Sequence, residues 1–129
     1  MKFKFLILNT LALTLAIVLM SCSNNPKKTR TIIGEINPSS PKVSTDFSKF
    51  SGTESYKLTI SEETTFKCEL KLRTGKTSIS LVDESGKEYL NVNSTNKNSV
   101  TLSPNSKTTY FVDLSYDNGV GSYLLSIEN

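Results

Sequence analysis

The sequence predicts an all-β fold, a small antiparallel β-sandwich of about seven strands. From about Ser44 onward the chain consists of short runs rich in Thr, Tyr, Val and Ile, and Gly, Asn and Ser separate these runs. Several short strands at such spacing are typical of a sandwich or barrel. After residue 22, no stretch has apolar residues at the spacing of an amphipathic helix.

Apolar and polar residues alternate within the predicted strands, as they do in strands with one buried face. In one run, Phe66, Cys68, Leu70 and Leu72 alternate with charged residues. This alternation places Cys68 on the buried face, where a lone cysteine packs as a small apolar side chain. In chain order, the seven predicted strands are 54–60, 65–73, 77–83, 88–92, 99–103, 108–116 and 121–127.

Two turns predict how neighbouring strands pair. Asn118-Gly119 suits a two-residue type I′ turn, in which both residues have positive φ, and it predicts a hairpin between 108–116 and 121–127. Ser85-Gly86 predicts a second hairpin. The predicted apolar pairs are Leu114 with Tyr123, Val112 with Leu125, Tyr110 with Ile127, Leu81 with Leu90, and Ile79 with Val92.

The Asn118-Gly119 hairpin would turn two large apolar residues outward. Phe111 and Leu124 would lie on its two strands, two positions apart, with Asp113 opposite Leu124. Diagonal neighbours at this spacing are within reach of an aromatic side chain. Phe111, Asp113 and Leu124 are therefore the predicted partner-binding residues. Alternatively, an N-terminal segment of the domain covers them, through Ile32, Ile33 and Ile36 or through Phe47 and Phe50.

The N-terminus has the three parts of a secretory signal peptide. Two lysines precede an apolar run over residues 5–20, and small residues follow it. This run is shorter than the roughly 20 residues of a membrane-spanning helix. Leu19-Met20-Ser21-Cys22 resembles the lipobox of bacterial lipoproteins, which implies removal of residues 1–21 and a diacylglyceryl group on the sulfur of Cys22. The alternative is an ordinary secreted protein in which this cysteine is incidental.

Residues 22–43 are predicted to be the lipidated tether, and residues 44–129 the sandwich domain. Asn, Pro and Ser dominate the tether, as they do in linkers. Its basic cluster of Lys27, Lys28 and Arg30 is either a solvated part of the linker or a contact with anionic lipid headgroups. The predicted location is the extracytoplasmic face of the cell membrane.

The order of the predicted strands is similar to that of a known bacterial family. The segments YKLTISEETTFKCELKL, TSISLVDESGKEYL, SVTLSPNSKTTYFVDLS and GSYLLSI resemble the pre-peptidase C-terminal domain in their spacing. The resemblance extends over about residues 52–127. It implies a compact, jelly-roll-like β-sandwich. It also implies a non-catalytic role, since members are usually appendages of secreted enzymes, and some bind calcium or polymeric substrates.

The composition excludes several functions. The chain has no histidine, which excludes a Ser-His-Asp triad and histidine-ligated zinc. It lacks a calcium-loop motif, so neither a metal site nor a cofactor is predicted. Asp113 with Asp117, or Asp83 with Glu84, could contribute at most to a weak calcium site. Two of the 15 basic side chains precede residue 22, which leaves 15 − 2 = 13 against 12 acidic ones. Nucleic acid is therefore not an expected partner.

These observations predict a lipid-anchored bacterial surface protein that is not an enzyme. Its expected role is that of a binding or structural module for an extracellular polymer or protein, held at the membrane through Cys22. A small-molecule substrate is not expected. Two other roles stay open, namely an inhibitor or immunity-type protein that acts on another protein, and a mechanical role in the cell envelope.

Overall fold

The computed structural model describes residues 29–129 and has the all-β fold that the sequence predicts. No helix in this part of the chain is long and apolar enough to cross a membrane. In chain order, the strands are β1 (Ile32–Ile36), β2 (Lys42–Ile60), β3 (Thr64–Asp83), β4 (Glu88–Val92), β5 (Asn96–Leu102) and β6 (Thr108–Glu128).

One hydrogen-bonded sheet contains all six strands, in the order β1-β2-β6-β3-β4, and β5 also pairs with β3. β6 is the central strand, because it pairs along its length with β2 on one side and with β3 on the other. The pairing of β1 with β2 is parallel, and the other pairs are antiparallel. The sheet is therefore mixed. The antiparallel pairing that the sequence predicts is found for β2 to β6, and the parallel pair involves β1, which lies in the segment predicted to be tether.

The three long strands bend near their middles. The pairing of β2 with β6 shifts register between Ser48 and Gly52, and that of β3 with β6 shifts between Leu72 and Lys76. Positive φ angles at Lys49, Gly52, Gly75 and Asn118 lie at or next to these shifts. Irregularities of this kind bend a strand and increase its local twist.

The bends divide the sheet into two layers. The first layer contains β1, β4 and residues 53–60, 76–83 and 108–117 of the long strands. The second layer contains β5 and residues 42–48, 64–72 and 120–128. β1 lies in the first layer, and the chain then crosses to the second layer, where β2 begins and runs in the opposite direction. At its bend β2 returns to the first layer, so its second part runs in the same direction as β1. This reversal explains the parallel pair.

A contact between two tyrosines shows that the layers face each other. Tyr56 pairs with Val112 in the first layer, and Tyr123 lies 123 − 112 = 11 residues further along β6. In an unbent strand that separation would be about 36 Å, at roughly 3.3 Å per residue. The hydroxyl oxygens of Tyr56 and Tyr123 are instead 2.9 Å apart. The sheet therefore folds over into a β-sandwich, which confirms the predicted architecture.

One apolar core fills the space between the layers. Cys68 is 2% exposed and belongs to this core, as the alternation around it predicts. The two faces assigned from the pattern of residues 108–127 are also correct, since the six residues predicted to be buried there are buried. They are Tyr110, Val112, Leu114, Tyr123, Leu125 and Ile127.

The strand count and one hairpin differ from the prediction. The predicted strands 65–73 and 77–83 are the two ends of β3, and 108–116 and 121–127 are the two ends of β6. Asn118-Gly119 marks the bend of β6 and not a turn, and only Asn118 has a positive φ. The predicted pairs around that turn are therefore wrong. The two halves of β6 lie in different layers instead, and each half pairs with β2 on one side and with β3 on the other.

The second predicted hairpin is confirmed. Leu81 pairs with Leu90, and Ile79 pairs with Val92, as predicted, while the register shifts between Leu81 and Val82 next to the turn. Gly86 has a φ of 89°, which suits a turn residue without a side chain.

The predicted boundary between tether and domain also differs from the structure. β1 and the start of β2 lie within the range 22–43 that was assigned to the tether. Ile36 is fully buried in the core, and burial of this side chain favours an ordered strand. The signal peptide (1–21), Cys22 and the tether up to residue 28 lie outside the described residues.

Candidate functional site

The outer surface of the first layer carries rows of short hydroxyl side chains. Side chains alternate between the two faces of a strand, so the residues between the buried positions point outward. In one row Ser55 pairs with Asp113 and Asp113 with Ser80, and in the next Thr53 pairs with Ser115 and Ser115 with Ser78. We call the five hydroxyl-bearing residues the hydroxyl face: Thr53, Ser55, Ser78, Ser80 and Ser115. Of these, Ser55 is buried, with 4% of its surface exposed.

Arg30 joins the N-terminal segment to this face. Its Nε donates to Oδ1 of Asp113 at 3.0 Å, and its Nη2 donates to Oδ2 at 3.4 Å. Ser55 Oγ also donates to Oδ1 of Asp113, at 2.6 Å. The two charged side chains are only 15% and 17% exposed. A forked guanidinium–carboxylate pair has a defined geometry, so this contact fixes both groups in place.

Arg30 also covers Phe111. The central carbon of its guanidinium lies 4.2 Å from the centroid of the Phe111 ring, a cation–π contact. The predicted alternative, a cover from the N-terminal segment, therefore holds for Phe111 through Arg30, and Ile32 lines the same hollow as this ring. The other predicted covering residues lie elsewhere. Ile36 is buried in the core, and Phe47 and Phe50 pack on Tyr116, with ring centroids 5.0 and 4.8 Å apart.

Leu124 does not join Phe111 and Asp113. It pairs with Ser44 and Glu69 on the outer surface of the second layer, whereas the other two residues lie on the outer surface of the first. The predicted patch of three residues depended on the Asn118-Gly119 hairpin, and the bend in β6 separates its members. Phe111 and Asp113 stay together, and their role in binding stays a prediction.

A cavity of about 200 Å³ opens on the hydroxyl face. Its charged lining residues are Arg30, Glu54, Glu88 and Asp113, and the hydroxyl face contributes to its polar lining together with Thr29 and Thr31. Asn91 Nδ2 donates to Ser80 Oγ at 3.0 Å, which orients one of these hydroxyls. Sequence reasoning missed this site, although the alternation in TSISLVD already placed Ser78 and Ser80 opposite the buried residues.

The buried ionisable groups are held in their neutral forms. Burial raises the pKa of the Cys68 thiol to about 12. Burial is also the main cause that raises the pKa values of Tyr116 and Tyr123 to about 12, and it likewise raises the pKa of Tyr56. A thiol with such a pKa is not a nucleophile near neutral pH.

Asp83 serves the β3–β4 turn. Its Oδ1 accepts hydrogen bonds from the backbone N–H groups of Ser85 and Lys87, at 2.8 and 3.0 Å, and from the Ser85 hydroxyl. Tyr89 donates to Oδ2. The hydrogen bond from the Ser85 hydroxyl is the main cause that lowers the pKa of Asp83. Within residues 29–129, no group of three or more Cys, Asp or Glu side chains could hold a metal ion.

Solved structures with a similar fold include a domain that the sequence already resembles. The pre-peptidase C-terminal domain of a collagenase from Bacillus anthracis matches with a TM-score of 0.53 at 17% sequence identity. The match covers 78% of this chain and 100% of that chain. At this identity the likeness shows the fold, and it supports the predicted jelly-roll-like sandwich.

Two further structures match less well. A surface-associated copper-binding protein from Methylomicrobium album BG8 has a TM-score of 0.49 at 8% identity, over 78% of this chain and 99% of that one. A periplasmic inhibitor of g-type lysozyme from Aeromonas hydrophila has a TM-score of 0.43 at 10% identity, over 78% and 100%. No protein-family model matches the sequence, and no curated protein does.

Proposed function

We propose that this protein is a non-enzymatic binding module, anchored to the extracytoplasmic face of a bacterial membrane by a lipid on Cys22. Its hydroxyl face binds an extracellular polymer that is rich in hydroxyl or amide groups. The observation that carries this proposal is the cavity of about 200 Å³, lined by the hydroxyl face and the Arg30–Asp113 pair.

The chemistry of this surface suits a polar ligand without negative charge, because Glu54 and Glu88 line the cavity beside the Arg30–Asp113 pair. Each serine or threonine hydroxyl both donates and accepts hydrogen bonds, so a row of them matches the hydroxyl or amide groups of a polymer repeat. Arg30 and Asp113 neutralise each other. Single contacts of this kind are weak, and repeated units along a polymer increase the apparent affinity through multivalency.

The buried groups favour binding over catalysis. The thiol of Cys68 lies in the core and stays protonated near neutral pH, since its pKa is about 12. The carboxylate of Asp113 is occupied by Arg30 and Ser55. These residues therefore act as a rigid support for the surface.

Co-sedimentation with purified cell-wall polymer tests the binding surface. The double variant Ser78→Val, Ser80→Val removes two hydroxyls from the hydroxyl face, and we expect at least a tenfold loss of sedimented protein. The matched control, Ser122→Val with Ser126→Val, changes two serines on the outer surface of the second layer and should bind normally. Equal binding by both variants would contradict the proposal. Capture of one protein in stoichiometric amount, with no polymer, would favour the inhibitor role instead.

Lipid labelling tests the anchor. Because the lipobox cysteine carries the lipid, Cys22→Ala should abolish incorporation of labelled fatty acid and leave the precursor uncleaved. Cys68→Ala is the matched control and should be labelled and processed normally, since that thiol is buried. Labelling of the Cys22 variant would show that the lipoprotein interpretation is wrong.

A further inference from the structure

We propose that the exposed Ile32–Ile33 pair of β1 contacts the lipid surface of the membrane that holds the anchor, and so orients the domain. This inference rests on the proposed lipidation of Cys22. The partner of this apolar pair is the bilayer itself, and neither a second copy of this chain nor a separate protein is required.

Ile32 and Ile33 are 44% and 41% exposed. In residues 29–129, the only other exposed large apolar side chain is Phe50, and its ring packs on Tyr116. β1 is an edge strand, and its register shift between Ile32 and Gly34 leaves Ile33 without a pairing partner on β2. Two adjacent isoleucines thus project from the edge of the sheet, which is costly in water.

The length of the chain keeps this edge near the bilayer. Ile32 follows Cys22 by 32 − 22 = 10 residues, which span at most about 36 Å when fully extended. A folded domain of about 100 residues has a radius of gyration near 13 Å. The greatest distance between Cys22 and Ile32 is therefore less than three radii of gyration, which keeps the domain close to the bilayer. Among the strands of residues 29–129, β1 comes first in the chain, so it has the shortest connection to Cys22.

The surroundings of Ile32 combine apolar and basic groups. A broad hollow of about 620 Å³ has Ile32 and Phe111 among its apolar walls and Lys57 and Glu84 among its charged ones, and Arg30, which also lines it, is paired with Asp113. Apolar side chains enter the boundary between headgroups and acyl chains, and Lys57 adds an attraction to anionic lipids. Weak contacts of this type suffice for an anchored domain, because the tether makes the local lipid concentration high.

Quenching by lipid-borne nitroxides tests the contact in the full lipidated protein. Ile33→Cys is labelled with a fluorophore and incorporated into phosphatidylglycerol–phosphatidylethanolamine vesicles that contain a headgroup nitroxide lipid. The label is specific, because Cys22 is a thioether and Cys68 is buried. Ser99→Cys is the matched control, since Ser99 is exposed on β5 at the outer surface of the second layer. We expect at least threefold stronger quenching at position 33 than at position 99.

Equal quenching at the two positions, or none at position 33, would overturn the inference. A second copy of the chain on this edge would give a different result. The probe at position 33 would then be protected from aqueous iodide but not quenched by the nitroxide, and the protection would increase with protein concentration. This result would also overturn the inference. Flotation of the same vesicles separates the two proposals. Protein that floats but is not quenched at position 33 retains the anchor and loses the orientation, whereas protein that does not float lacks the anchor.

Discussion

Arg30 and Asp113 are 83 positions apart in the chain, and their side chains meet with Nε 3.0 Å from Oδ1. The contact joins the segment before β1 to the central strand of the sheet. Arg30 reaches the carboxylate and the Phe111 ring at the same time. This double contact requires a planar, forked cation, which lysine cannot supply.

Replacement of Arg30 by lysine should therefore destabilise the domain although the charge is retained. We expect Arg30→Lys to cost roughly 1–2 kcal/mol of unfolding free energy, through the lost fork and the lost stacking. Urea denaturation measures the change. Lys67→Ala is the control, because its ion pair with Glu128 is 49% and 61% exposed, and exposed pairs contribute about 0–1 kcal/mol. Equal effects of the two substitutions would argue against a specific role for the guanidinium.

The hydrogen bond between Tyr56 and Tyr123 should couple the two layers energetically. In a double-mutant cycle with Tyr56→Phe and Tyr123→Phe, we expect a coupling of about 1 kcal/mol, since each single change breaks the same bond. Tyr56→Phe with Tyr89→Phe should be additive within about 0.5 kcal/mol, because β2 and β4 are three strand positions apart in the sheet. A coupling near zero in the first cycle would show that the hydroxyl contact does not stabilise the fold.

Stability should decrease at alkaline pH. The pKa of Cys68 is raised from 9.0 to about 12, and that of Tyr123 from 10.0 to about 12. The folded protein holds these protons more tightly than the unfolded chain does. Their contribution to the unfolding free energy is therefore complete below the pKa values of the unfolded state, and it is lost as the pH rises toward the pKa values of the folded state. The unfolding free energy should begin to decrease near pH 9, by at most about 1.4 kcal/mol per pH unit for each group.

Cys68→Ala isolates the thiol in this experiment. Urea midpoints between pH 7 and pH 11 should show that the decline begins near pH 10 in the variant, because only the tyrosines then contribute. An onset that stays near pH 9 would assign the titration to other groups.

Gly119→Ala should destabilise the domain by roughly 1–3 kcal/mol, the cost of overpacking. A Cβ at this position would collide with the hydroxyl of Thr77, and Phe47 and the Lys76 carbonyl would be 3.2 Å away. The Thr77 hydroxyl is buried and has no hydrogen-bond partner among the described residues. Thr77→Ala alone therefore loses no hydrogen bond and should cost about 1 kcal/mol, for the buried methyl group.

Combining the two substitutions separates a steric effect from a backbone effect. Gly119→Ala should be partly rescued by Thr77→Ala, and thermal unfolding of the four proteins measures this rescue. Strict additivity would mean that the glycine is needed for a different reason, such as the bend itself.

Local patterns predicted the faces of the strands but not their ends. Burial repeats every two residues, so the pattern identifies Tyr110 and Ile127 as core residues whichever strands they pair with. Asn118-Gly119 carries the composition of a hairpin turn, and the same positive φ at Asn118 also permits a bend within a strand. The choice between turn and bend depends on pairing with β2 and β3, which lie far away in sequence.

The candidate site was only partly predictable for the same reason. Phe111 and Asp113 share a strand face, and alternation is sufficient to find them. Leu124 was joined to them through a register that the bend removes. Arg30 lay in the presumed tether, and its place above Phe111 depends on β1, whose single apolar run was too short to identify as a strand.

The central position of β6 has a consequence for the time at which the protein can fold. β2 and β3 do not pair with each other, and each of them finds its main partner in β6, which follows them by dozens of residues. Contacts between distant segments form slowly, because a long loop must close first. The chain therefore stays open until residues 108–128 are available for pairing. The two layers then close together, so the last strand completes both of them at once.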